Sequence, residues 1–170
     1  MSLATRCTLG LLAAVISLGV VGCKSSSAGN SATAMPVEKP LWDRLGGEAG
    51  VTKVVDAFVD RAAKDPKVNF TREGTSQHWD PTPENVAKLK KHLVQFIASA
   101  TGGPQTPGLK YEDADMKTVH TGMQITNAQF NAAATDLALA LGEFNVPDAE
   151  QEQLLTIVAS TRGDIVEMTK

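Results

Sequence analysis

Three histidines, His78, His92 and His120, are the side chains of this sequence best suited to hold a metal, because a neutral imidazole nitrogen is a versatile ligand. Other chemistry is poorly provided for. The two cysteines, Cys7 and Cys23, both lie in the first 23 residues. The rest of the chain therefore has no thiol for a disulfide, a zinc site or a nucleophile. No Gly-rich phosphate loop of the Walker or dinucleotide type occurs, and no serine sits in a Gly-x-Ser-x-Gly elbow. Acidic residues are scattered along polar faces, so no carboxylate pair for acid–base work is indicated. What remains is one kind of chemistry: a flat apolar cofactor between helices, its metal held by an imidazole.

The elements that must position such a site are helices. Val51, Val54, Val55, Phe58, Val59 and Ala62 recur at helical spacing, which predicts an amphipathic helix ending before Asp65-Pro66. A short first helix carrying Leu41, Trp42 and Leu45 is set off by Gly46-Gly47. Thr82-Pro83 offers an N-cap and a first-turn proline for a long helix whose stripe is Val86, Leu89, Leu93, Phe96, Ile97 and Ala100. Gly102-Gly103-Pro104 stops it. A brief helix is expected around Asp113 to Thr121. Thr126 and Gln129 form a capping box that opens a helix bearing Phe130, Ala133, Ala134, Leu137, Leu141 and Phe144. The last helix is expected from about Asp148 to Met168, with Leu154, Leu155, Val158, Ile165 and Val166 inward. No run alternates as a strand would, so the fold class is all-α.

Composition is consistent with this. Hydrophobic residues make up 42% of the chain, enough for a core, and the formal net charge is −3. No basic face exists to attract nucleic acid. Residues 1–23 read as an export signal: Arg6, then an apolar run from Leu9 to Val21. That run is shorter than the roughly 20 apolar residues a span needs. Its end, Leu18-Gly19-Val20-Val21-Gly22-Cys23, resembles the bacterial lipobox, which implies acylation of Cys23 and a membrane anchor at the cell envelope. Residues 24–40 are rich in Ser, Ala, Gly and Pro and read as a flexible tether. Residues 41–170 then form the folded domain.

Within that domain several ordered motifs resemble the group I truncated haemoglobins. Leu41-Trp42-Asp43-Arg44-Leu45-Gly46-Gly47-Glu48 is similar to their opening motif. Val54-Val55-Asp56-Ala57-Phe58, then Asp65-Pro66-Lys67-Val68 and Phe70, is similar to their second helix and the turn after it. Leu93 to Phe96 with Ala100-Thr101-Gly102-Gly103-Pro104 resembles their central helix and its stop. Met116-Lys117-Thr118-Val119-His120, followed by Gly122, Ile125-Thr126 and Phe130, resembles the segment bearing the proximal histidine.

The resemblance implies a shortened globin fold, two helices stacked on two others around haem b (iron protoporphyrin IX). It assigns His120 as proximal iron ligand and Phe70 as the aromatic against the haem face. Phe58, Val59, Leu89, His92, Leu93, Phe96, Met116, Val119, Ile125 and Phe130 become expected haem contacts. On the distal side the sequence departs from the family. Val59 stands where a tyrosine is usual, and Leu89 and Leu93 where glutamines are frequent. The expected distal wall is apolar and lacks a hydrogen-bond donor, which argues against tight oxygen storage. His92 stands where some members supply a sixth ligand; the alternatives are solvent or a haem propionate. Lys88 and Lys90 are further propionate partners to consider, and His78 is expected on the surface.

Four functions stay open at this stage. They are reversible binding of oxygen, nitric oxide or carbon monoxide; a haem enzyme such as a nitric oxide dioxygenase or a peroxidase, served by a reductase; a sensor or electron carrier if His92 ligates; and a haem-free helical lipoprotein.

Overall fold

The structure, a computed structural model, describes residues 38–168. The signal segment, Cys23 and all but the last three residues of the tether lie outside them. Among the described residues there are seven helices: α1 Leu41–Arg44, α2 Gly47–Ala62, α3 Pro83–Thr101, α4 Met116–His120, α5 Asn127–Glu143, α6 Asp148–Ser160 and α7 Arg162–Ile165. α2 packs against α3 and α5, and α5 against α6, so one helical pair is stacked on another.

Local chemistry sets most of the boundaries. The Thr82 hydroxyl accepts from Asn85 N (3.2 Å) and Pro83 opens α3. The Thr126 hydroxyl accepts from Gln129 N (3.2 Å), while Gln129 Oε1 accepts from Thr126 N (3.0 Å), closing the capping box of α5. At the end of α3, Gly102 takes the left-handed conformation (φ 80°). Gly103 lies so near Trp42 that a Cβ would stand 2.8 Å from its ring, too close for any other residue. The double glycine thus both ends α3 and seats α1 on it.

The core joins faces of five helices. Trp42, Val51, Val54, Val55, Val59, Ile97, Ala98, Leu137, Leu141 and Leu154 are buried in one cluster. Phe58, Phe70, Leu93 and Phe96 pack against it half-buried. Burying a side chain of this size contributes about 1.5–3 kcal/mol, which is why so aromatic-poor a chain still closes a core.

Three expectations need correction. The brief helix begins at Met116 rather than Asp113, because Asp115 caps it, accepting from Thr118 N (3.0 Å) and the Thr118 hydroxyl (2.8 Å). Phe144 is exposed rather than inward; it is the C-cap of α5, where the helical stripe has already ended. The last helix does not run through to Met168. The hydroxyls of Ser160 and Thr161 donate back to Ile157 O and Val158 O, and the helix breaks at Thr161. Past α7 the chain is extended, and Glu167 N and Met168 N both donate to Ile125 O.

A candidate cofactor site at His120

His120 closes the short helix α4, and its Nδ1 donates to the Met116 carbonyl at 2.7 Å. That bond fixes the ring and leaves Nε2 as the unprotonated nitrogen, without a hydrogen-bond partner among the described residues. Burial holds the imidazole below the ordinary histidine value; the bond to Met116 opposes the shift, Arg72 adds to it and Glu167 opposes it. At neutral pH the ring is therefore neutral, the form a metal requires.

The segment after His120 is pinned from the C-terminus. Gly122 and Gln124 both have positive φ, 83° and 52°. Their amides donate to the Glu167 carboxylate at 2.8 and 2.6 Å. These two bonds hold the Glu167 carboxyl below its usual range. From the other side comes the loop after α2. Arg72, buried and in the left-handed region (φ 57°), donates through Nε to Asn69 O (2.7 Å) and through its terminal nitrogens to Val68 O and Gln129 Oε1. Trp79 stacks edge-on against Phe70 at 5.0 Å and donates to the Phe70 carbonyl at 2.9 Å. Phe70 is thus held by a tryptophan, and His78 beside it is exposed, with Nδ1 against Thr71 O (3.0 Å).

The other expected contacts divide into two groups. Val59 lies in the core, with Phe58, Phe70, Leu93 and Phe96 packed against it. Phe130 is buried under the Arg162 guanidinium, 4.3 Å from its ring centre. Leu89, Met116, Val119 and Ile125 are half-buried. His92 lies on α3 with Nδ1 2.6 Å from Asp113 Oδ2. Lys90 is engaged by Asp56 (3.1 Å) and Asp60 (3.3 Å) on α2, and Lys88 is exposed.

The bacterial-like globin family model matches residues 40–167, most of the chain. The chain belongs to that family. A group 1 truncated haemoglobin of Mycolicibacterium paratuberculosis is 33% identical over 125 residues, 74% of this chain and 82% of that one. One from a Nostoc species is 27% identical, over 74% of this chain and 96% of its own. Among solved structures, a point mutant of the truncated haemoglobin of Tetrahymena pyriformis, in its ferric form, superposes with TM-score 0.62 at 25% identity, over 75% of this chain and 98% of that one. The 2/2 haemoglobin of Synechococcus, crystallised in the cyanomet state with covalently attached haem, gives 0.63 at 27% identity, over 76% and 100%. The stacked helical pairs are therefore the 2-over-2 globin arrangement, and the protein is a haem-binding globin.

The residues of this globin fit such a cofactor. A fixed neutral imidazole offers a free Nε2 on α4, and the apolar side chains flanking it are half-buried, as a wall against a flat apolar group would be. Two surface grooves, of about 590 and 440 Å³, lie on the outer faces of α2 with α5 and of α6, and neither contains a histidine. Sequence reasoning missed Asp113, Glu167 and Arg72 altogether. Each works through a partner far along the chain, and no local pattern marks an acid or arginine as so committed.

Proposed function

We propose that this globin holds haem b through Nε2 of His120 and reversibly binds a diatomic gas. The observation that carries the reading is the His120 ring: neutral, locked by the Met116 carbonyl, and open at its second nitrogen. Bound haem would supply an iron coordination position for the gas. The chain's own contribution is to orient the proximal imidazole, to exclude water with Phe58, Phe70, Leu93 and Phe96, and to surround the gas with Leu89 and Leu93. Neither of those two can donate a hydrogen bond, which supports rapid exchange of oxygen, or service to carbon monoxide or nitric oxide, over storage. The lipobox-like end of the leader supports anchoring through Cys23 at the cell envelope, with electrons drawn from a separate reductase where reduction is needed.

A second reading, as an electron carrier or sensor, is favoured by a specific feature: His92 stands half-buried on α3, one residue before Leu93. Absorption spectra of the haem-reconstituted protein with and without carbon monoxide separate the two. Ready uptake of carbon monoxide by high-spin ferrous haem supports the gas-binding reading, whereas a low-spin ferrous spectrum that resists carbon monoxide supports the second. His120→Ala should abolish stable haem retention while leaving the helical circular dichroism in place. Full haem with an unchanged spectrum in that variant would remove the proximal assignment.

A further inference from the structure

His92 is not free to move as an ordinary surface histidine is. Its Nδ1 lies 2.6 Å from Asp113 Oδ2, and the two side chains are 32% and 34% exposed. Asp113 in turn belongs to a short segment anchored on both sides. Tyr111 stacks edge-on against Phe96, 5.9 Å between ring centres, one helical turn beyond His92 on α3. The Tyr111 hydroxyl donates to Ala114 O at 3.1 Å. Asp115 is committed to the N-cap of α4, the helix that ends in His120. A single stretch, residues 111–115, therefore touches the helix of each histidine, and its middle carboxylate grips the distal one.

We propose that Asp113 is the positioning residue of His92: its carboxylate docks the imidazole at the rim of the distal wall and so limits how often that ring reaches the haem iron. The proposal rests on the haem reading above. An imidazole moving inward must leave Asp113, because Asp113 cannot follow while Tyr111 sits on Phe96 and Asp115 caps α4. The docked and iron-reaching positions are then two states of one ring, and a bond made in only one of them biases the populations. A close contact to a carboxylate at a site one-third exposed shifts such an equilibrium by up to about tenfold. With Asp113 in place, the gas side of the iron stays open.

The test uses the haem-reconstituted full chain in four forms: parent, Asp113→Ala, His92→Ala and the double variant. Ferric spin state is read by absorption and electron paramagnetic resonance, and carbon monoxide association by flash photolysis. Asp113→Ala should raise the low-spin fraction and slow carbon monoxide association about tenfold, while the double variant should match His92→Ala. Three results overturn the proposal: an Asp113→Ala spectrum and rate equal to the parent's; a loss rather than a gain of low-spin iron, which would make the carboxylate a guide onto the metal; or a shift that persists without His92. Imidazole NMR resonances of the haem-free chain supply an independent check. Those of His92 should move in Asp113→Ala and those of His78 should not, and unmoved His92 resonances overturn the contact itself. Were the parent to bind no haem while His92 still answered to Asp113, the haem reading and the iron-directed half of this proposal would both fall, with the contact intact.

Discussion

Leu93 illustrates how one side chain tunes a site of this kind. It is half-buried on α3 against the core, one residue beyond His92, and under the proposed function it would offer a bound gas only dispersion contacts. A hydrogen bond to a strongly polarised partner contributes about 1.5–3 kcal/mol. Leu93→Gln should therefore slow oxygen dissociation about 10- to 100-fold and leave carbon monoxide far less affected, which stopped-flow displacement measures directly. An unchanged oxygen rate would show that position 93 does not face the gas. The chemistry-bearing histidines were legible in the sequence because imidazoles are few and their neighbours form a recognisable pattern. Asp113 was not. An acid at the expected start of a brief helix looks like any solvated carboxylate until folding places His92 beside it.

At the scale of elements, the C-terminal segment acts as a latch on the turn that follows α4. Glu167 accepts from Gly122 N and Gln124 N, and those bonds hold its carboxyl below the usual glutamate range. A depressed carboxyl stabilises the fold fully above the ordinary glutamate value, and the contribution is lost as pH falls through the folded value. Thermal melts should thus show Glu167→Gln less stable than the parent near neutrality, with the gap closing under acid conditions. A gap that stayed constant across that range would assign the loss to packing rather than to the ionised latch. Helix starts at Thr82 and Thr126 were readable because a cap and its partner lie three residues apart. The break at Thr161 was not, since Ser and Thr hydroxyls choose between backbone and solvent only in the folded context.

Over the whole molecule, stability rests on the interface between the two helical pairs. Leu141 and Leu154, on α5 and α6, are almost wholly buried, as are Val55 and Val59 on α2. Leu141→Ala leaves a cavity where these helices meet and should cost about 2–5 kcal/mol. Urea unfolding of the haem-free chain should show a lower midpoint with an unchanged slope. A loss below about 1 kcal/mol would mean that the neighbours collapse into the space.

The sequence by itself determined the helical class, most helix starts and stops, the globin resemblance and the prominence of His120. Those features depend on residues a few positions apart, whose geometry a helix dictates without reference to the rest of the chain. Only the tertiary structure decided the rest. It separated Val59, sealed in the core, from Leu89, Met116, Val119 and Ile125, left half-buried around the site. It also paired His92 with Asp113, Lys90 with Asp56 and Asp60, and Glu167 with the turn after His120. The physical reason is common to all of them. A stripe shows that a residue is apolar or charged, but its partner is fixed by how distant segments pack, and no short window of sequence contains that information.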